Sequence, residues 1–159
     1  MDWQGQNLNP GPPTTLIESL LMFPDWVNAY VGLPFRAHGR DRDGVDCWGL
    51  VRLVLAERFG CRLPSYAGGY TSVEDTEDIG RLIRGEMGPW RPVPPGEERP
   101  GDVVLMRLMN QPMHVGVVVA PSSEGGWMLH VEDGIDACLD RYDGARWRRR
   151  VQGLYRHDG

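Results

Sequence analysis

The chain has 159 residues, of which 41% are apolar and 25% charged, and a formal net charge of −5. This length fits one domain with a sizeable core, and the acidic balance argues against nucleic acid as a partner. No apolar stretch reaches about 18 residues, so no membrane span is expected, and the first residues lack the basic and apolar segments of a secretory signal.

The N-terminal part predicts an arm followed by short helices. Residues 1–13 are rich in Gly, Pro, Asn and Gln and predict an extended arm, while residues 14–159 predict a single domain. Within that domain, capping-box spacing from Thr15 predicts a helix over 16–22. A further helical segment is predicted over 25–31.

The clearest helix is predicted over residues 47–59. Asp46 precedes it as a good N-cap, and Gly60 follows it as a good stop. Apolar residues cover most of its circumference, which is typical of a core helix. An amphipathic helix over 72–87 and a proline-rich loop over 92–100 are predicted next.

After residue 101 the apolar pattern changes from helical to alternating. The strands are predicted over 102–107, 114–120, 127–132 and 152–156, with a hairpin connection over 121–126. Helices followed by an antiparallel meander indicate an α+β fold rather than alternating βαβ units.

Cys47 is predicted on the first turn of a helix, where a nucleophilic thiol is favoured. Backbone N–H groups and the helix dipole stabilise the thiolate there, and the same N–H groups can hold an oxyanion. The predicted hairpin brings His130 close to His114 at the start of a strand. We therefore assign Cys47 as nucleophile, His114 as general base and His130 as the group that orients His114, with Glu132 as an alternative.

Each of these residues also has a structural interpretation. A cysteine at a helix start is commonly a small buried hydrophobe, and a strand histidine is commonly structural. A zinc site of one cysteine and two histidines is chemically possible, but no H-E-x-x-H or paired-cysteine spacing supports it. We interpret the other cysteines as structural and an arginine cluster as a solvated or docking surface; these are Cys61, Cys138, Arg146, Arg148, Arg149 and Arg150.

Four segments, in order, resemble the NlpC-type cell-wall cysteine endopeptidases. They are Tyr30-Val31-Gly32-Leu33-Pro34-Phe35-Arg36, Gly44-Val45-Asp46-Cys47-Trp48-Gly49-Leu50-Val51, Pro100-Gly101-Asp102-Val103-Val104 and His114-Val115-Gly116-Val117. The second is similar to the family's Asp-Cys-Ser-Gly-Leu-Val nucleophile motif. His130 falls where that family has its third polar residue.

The resemblance implies a papain-like fold and peptidoglycan stem peptides as substrate. It implies thiolate attack, a thioester acyl-enzyme and hydrolysis by water, with neither a metal nor an organic cofactor. Two positions depart from the family pattern. Phe35 stands where the family usually has a tyrosine that helps to hold the oxyanion, so His38 or a loop amide becomes a candidate donor. Trp48 replaces a small serine, and core packing is its expected role.

The Asp46-Cys47-Trp48-Gly49-Leu50-Val51 form and the N-terminal arm also resemble the versions carried by tailed bacteriophages and phage-like particles. That resemblance implies synthesis in the bacterial cytoplasm without a signal peptide, a place at the tail tip, action at the host cell wall, and other tail-tip or hub proteins as partners. Two alternatives stay open. One is a structural tail-tip protein with weak or no activity, and the other is a different acyl-transfer enzyme on the same scaffold.

Overall fold

In the computed structural model of the protein, the described residues are 23–65, 89–108 and 111–158. The predicted arm over 1–13 and the predicted helices over 16–22 and 72–87 lie outside them. Where a helical segment was predicted over 25–31, a short 3₁₀ helix covers Asp25–Ala29. Within the described ranges, no helix has the length and apolar character needed to cross a bilayer.

The predicted central helix is confirmed, and we label it α1, Cys47–Phe59. The Asp46 side chain caps it by accepting a hydrogen bond from the backbone N–H of Gly49 at 2.8 Å. Gly60 ends it in the left-handed conformation, with φ of 64°, which only glycine adopts at little cost. Both helix boundaries therefore lie where the sequence predicts them.

Strands form the rest of the described fold. They are β1 (Arg40–Asp41), β2 (Gly44–Val45), β3 (Trp90–Pro92), β4 (Val103–Leu108), β5 (Gln111–Ala120), β6 (Trp127–Glu132), β7 (Ile135–Arg141) and β8 (Val151–His157). The pair β1 and β2 precedes α1, and the other six strands form one antiparallel sheet in the order β3-β8-β4-β5-β6-β7.

The α+β prediction is confirmed by this helix and antiparallel sheet. Strands β4, β5, β6 and β8 match the four predicted strands to within a few residues, whereas the sequence analysis does not predict β1, β2, β3 or β7. The two edges of the sheet are β3, which has three residues and contains Pro92, and β7. The outer side of β7 pairs with a loop, since Gly32 donates to the Ala137 carbonyl and Ala137 donates to the Leu33 carbonyl, both at 2.8 Å.

The sheet is buried on both faces, and residue parity separates two apolar cores. Helix α1 packs on the face formed by Val103, Leu105, Val115, Val117, Val119, Leu129 and Val131. The opposite face carries Val104, Met106, Val118 and Met128, which pack with Tyr142, Trp147 and Leu154. The face on which a side chain lies therefore decides whether it can meet α1.

Candidate active site

Cys47 is the first residue of α1 and is 6% exposed. It belongs to the same apolar core as the rest of the helix. None of the three cysteines forms a disulfide. The predicted position of the thiol at a capped helix start is confirmed, and its side chain is buried.

Asp46 connects the start of α1 to the preceding loop. Its carboxylate accepts hydrogen bonds from Arg40 Nη1 at 2.7 Å and from the backbone N–H of His38 at 3.1 Å, besides capping the helix. Gly49 lets this loop approach closely, because a Cβ added there would lie 2.0 Å from the Gly39 carbonyl oxygen. The carboxylate and Gly49 therefore set how the thiol sits against the loop.

The other cleft candidates have separate positions. Phe35 is half-buried against the α1 core and forms an isolated bridge with Val45. His38 is half-buried and has φ of 61°, a conformation that is uncommon outside glycine. Trp48 is fully buried and donates from its indole N–H to the Pro64 carbonyl at 2.9 Å, so its expected core role is confirmed.

The structure brings His114 and His130 together. Nε2 of His114 lies 3.0 Å from Nδ1 of His130, and the two ring centroids are 5.2 Å apart. Both side chains are 1% exposed. Trp147 covers the pair, stacking on His114 with a centroid distance of 5.4 Å and meeting His130 edge-on at 5.3 Å. The hairpin prediction that made these histidines neighbours is therefore confirmed.

Burial determines the charge state of this pair. Desolvation, followed by repulsion from His130 and Arg146, lowers the pKa of His114 to about 3. Desolvation also lowers the pKa of His130, against the opposing effect of the Glu132 and Asp140 carboxylates. Both imidazoles are accordingly neutral near neutral pH.

The two histidines and Cys47 border different apolar clusters. His114 and His130 are even-numbered residues of β5 and β6, and their rings contact Trp147 of the second core. Cys47 lies in the first core, with α1 and the odd-numbered side chains of these strands. Two of the three predicted catalytic residues, His114 and His130, are thus in contact with each other.

Three polar or aromatic side chains around the histidines are not identified from the sequence as site residues: Asp140, Arg146 and Trp147. Asp140 Oδ2 is 3.5 Å from Nε2 of His130, and it accepts from the Trp147 indole N–H at 2.7 Å. Arg146, which the sequence predicts on a solvated or docking surface, is half exposed; it donates to both Glu132 oxygens at 2.9 and 3.0 Å and stacks over Trp147. The alternation of β7, which places residues 138 and 140 on the face of His130, is the signal that could have identified Asp140.

Each of the remaining cysteines lies beside a histidine. Cys138 Sγ is 3.9 Å from Nε2 of His130, and Cys61 Sγ is 3.1 Å from Nδ1 of His157. Burial raises the pKa of both thiols. A cavity of about 180 Å³ adjoins Cys61 and His157 at the far end of α1 from Cys47. Across the described part of the chain, no group of three or more His, Cys, Asp or Glu side chains is placed to hold a metal ion.

The fold and the capped cysteine helix define a class of protein, and comparison with known proteins identifies it. Residues 32–156 match the NlpC/P60 family, and the chain belongs to that family. It is 23% identical over 129 residues to an Escherichia coli K12 protein named murein DD-endopeptidase MepS/murein LD-carboxypeptidase, a match covering 80% of this chain and 55% of the relative. It is 26% identical over 122 residues to the probable endopeptidase NlpC homolog of Haemophilus influenzae, covering 77% and 54%.

Solved structures share the fold. A Staphylococcus aureus protein of the NLP/P60 family matches with a TM-score of 0.57 at 19% identity, over 96% of this chain and 46% of that one. NlpC1 from Trichomonas vaginalis matches with a TM-score of 0.59 at 18% identity, over 84% and 42%. The chain spans about half the length of the curated relatives it matches.

Proposed function

We propose that this protein hydrolyses an amide bond in the peptide stem of peptidoglycan through a cysteine thioester. The observation that carries the proposal is the placement of Cys47 at the first position of a capped helix in an NlpC/P60 chain. The names of its relatives as a murein endopeptidase and a probable endopeptidase agree with this substrate.

Each of the three predicted catalytic residues has a role in this reaction. The Cys47 thiolate would attack the carbonyl carbon, and the backbone N–H of Cys47 at the helix start would stabilise the oxyanion. His114 would take the thiol proton and return it to the leaving amine, while His130 would orient the His114 ring. Water would then release the acyl group. The reaction requires the His114 imidazole to reach the sulfur of Cys47.

The burial of the two histidines favours a second candidate, a structural tail-tip or hub protein that keeps the fold without the activity. The His114–His130 pair is 1% exposed and packs against Trp147. In addition, a base whose pKa is about 3 is poorly matched to proton transfer near pH 7. Phe35, in place of a tyrosine hydroxyl, removes one candidate oxyanion donor.

Digestion of purified peptidoglycan separates the two candidates. Wild-type protein should release stem fragments that are identified by mass spectrometry, and Cys47→Ala and His114→Ala should abolish that release. Cys61→Ala is the matched control, since it removes a buried thiol at the other end of α1 and should retain activity. Full hydrolysis by Cys47→Ala would contradict the assignment, and a folded wild-type protein inactive from about pH 5 to pH 9 would favour the structural candidate.

We further propose that a phage tail or phage-like particle carries the protein at its tip and delivers it to the cell wall. The sequence form around Cys47 and the predicted 1–13 arm support this location and a neighbouring tail-tip or hub protein as partner. Immunogold electron microscopy of purified tailed particles, with an antibody against this chain, should label the tip. Label spread along the tail, or absent from particles, would contradict the proposed location.

A further inference from the structure

A continuous line of polar contacts runs through the second core from His114 to Asp140. Nε2 of His114 lies 3.0 Å from Nδ1 of His130, and Nε2 of His130 lies 3.5 Å from Oδ2 of Asp140. The line is shielded by Trp147, which is fully buried and contacts both rings. Water is therefore excluded from the two rings, whereas the Asp140 carboxylate at the end of the line is one-third exposed.

Each imidazole in this line carries one N–H and one lone pair. A neutral histidine donates from one ring nitrogen and accepts at the other, and the partner of either nitrogen fixes the arrangement. The two rings share one close contact, so one of the two facing nitrogens must donate and the other must accept. A group at the far end of the line can therefore set the tautomer of both histidines.

Asp140 is the group best placed to do so. A carboxylate only accepts hydrogen bonds, so a proton on Nε2 of His130 is favoured by the Asp140 oxygen beside it. Two neighbours compete less well. Cys138 Sγ is farther from that nitrogen, at 3.9 Å, and Glu132 Oε2 is 4.0 Å from Nδ1. Arg146 pairs with both carboxylates, but it lies closer to Glu132, at 2.9 Å, than to Asp140, at 3.5 Å.

We propose that Asp140 is a positioning residue that holds both histidines in the Nε2–H tautomer. His130 then donates to Asp140 and accepts at Nδ1 from Nε2–H of His114. Nδ1 of His114 is the nitrogen left with a lone pair. For the peptide hydrolysis proposed above, on which the catalytic meaning of this inference rests, Nδ1 of His114 is the atom that accepts the thiol proton.

Nitrogen-15 NMR of the full chain tests the tautomers without any substrate. Long-range ¹H–¹⁵N correlation spectra of histidine-labelled wild-type protein near pH 7 should show His114 and His130 protonated at Nε2. Asp140→Ala should convert them to a mixture of tautomers, whereas Asp140→Asn, whose amide oxygen can still accept, should retain the wild-type pattern. Asp136→Ala, which removes an exposed carboxylate from the same strand, is the matched control and should change nothing.

Two results would overturn the proposal. One is a wild-type spectrum with His130 protonated at Nδ1, and the other is a folded Asp140→Ala protein with unchanged tautomers. If Asp140→Ala does not fold, the wild-type and Asp140→Asn spectra still decide the tautomers. Cys138→Ala should leave the spectra unchanged. A tautomer change in that variant would mean that the Cys138 thiol, rather than Asp140, determines the histidine tautomers.

The hydrolytic activity of the Asp140 variants provides a separate test of the proposal. If peptidoglycan is hydrolysed, Asp140→Ala should lower kcat by about tenfold or more with little change in KM, and Asp140→Asn should restore most of the rate. A protein without hydrolase activity would refute the proposed function and leave the tautomer result standing. An active protein whose kcat is unaffected by Asp140→Ala would refute the positioning role in catalysis.

Discussion

His114 is a neutral base buried among apolar and aromatic side chains, and this burial lowers the stability of the fold when the solution becomes acidic. Its folded pKa of about 3 lies below the value near 6.5 of an unfolded histidine. The unfolded chain therefore binds more protons as the pH falls below about 6.5, and the stability that is present above that pH is progressively lost. The His130 pKa is shifted in the same direction.

We expect the free energy of unfolding to fall by roughly 2 kcal/mol from His114 alone between about pH 7 and pH 5. This window lies above the range where most carboxylates titrate. Urea unfolding at the two pH values measures the loss, and His114→Gln should show a smaller one. Equal stability of the wild-type protein at both pH values would mean that His114 is solvated and protonated in the native state.

At the scale of the element, the tight approach of the 36–45 loop to α1 is possible because Gly49 has no side chain. Gly49→Ala would place a Cβ 2.0 Å from the Gly39 carbonyl oxygen, a backbone atom that cannot turn away. We expect this substitution to lower the free energy of unfolding by about 2–3 kcal/mol and to shift the helix start that carries Cys47.

Gly60→Ala is the matched control for Gly49→Ala. It lies at the other end of the same helix, has φ of 64°, and has no atom within 4 Å of an added Cβ. Only backbone strain is expected, about 1 kcal/mol, and Gly60→Asn should cost less. Chemical denaturation compares the variants, and an equal or larger loss in Gly60→Ala would contradict the packing argument.

The elements were predictable where one pattern dominated. Asp46 and Gly60 identified both ends of α1, and alternation identified β4, β5, β6 and β8. The sequence pattern does not predict β3 because this strand is short and contains Pro92. It does not predict β7 because charged residues lie on both faces of this edge strand. Sequence parity also predicted that His114 and His130 would meet.

The position of α1 relative to the histidines could not be predicted in the same way. Along β5, the odd-numbered Val115, Val117 and Val119 are as apolar as Val118 on the other face. A helix could cover either face of such a strand without exposing polar groups, so alternation carries no information about which one it covers. Asp140 was missed because its role depends on a three-dimensional line of contacts rather than on a motif.

At the scale of the whole molecule, one buried carboxylate joins three segments that are distant in sequence. Glu98 accepts hydrogen bonds from the backbone N–H of Gly96 at 2.7 Å, the backbone N–H of Ser122 at 2.9 Å and the Tyr142 hydroxyl at 2.5 Å. Despite opposing desolvation, the hydrogen bonds, led by that from Tyr142, lower the pKa of Glu98 to about 2. Its contribution is therefore present above about pH 4.5 and is lost as the pH falls towards 2.

Glu98→Ala should lower the free energy of unfolding at neutral pH by about 2–3 kcal/mol, because two backbone donors and a buried hydroxyl lose their acceptor. Glu97→Ala removes the exposed neighbouring carboxylate and should change the free energy by no more than about 0.5 kcal/mol. Urea denaturation of both variants provides the measurement. Similar losses in the two would show that the charge of this loop, rather than the buried contacts, is what matters.

The two edge strands of the sheet also determine whether copies of the chain can pair edge to edge at high concentration. On one side, the border strand β3 is too short to template another chain, and Pro92 has no N–H to offer. On the other side, the Gly32–Leu33 backbone already occupies hydrogen-bonding positions of β7 around Ala137. The long apolar strands remain inside, so neighbouring copies have little open backbone through which to join their sheets.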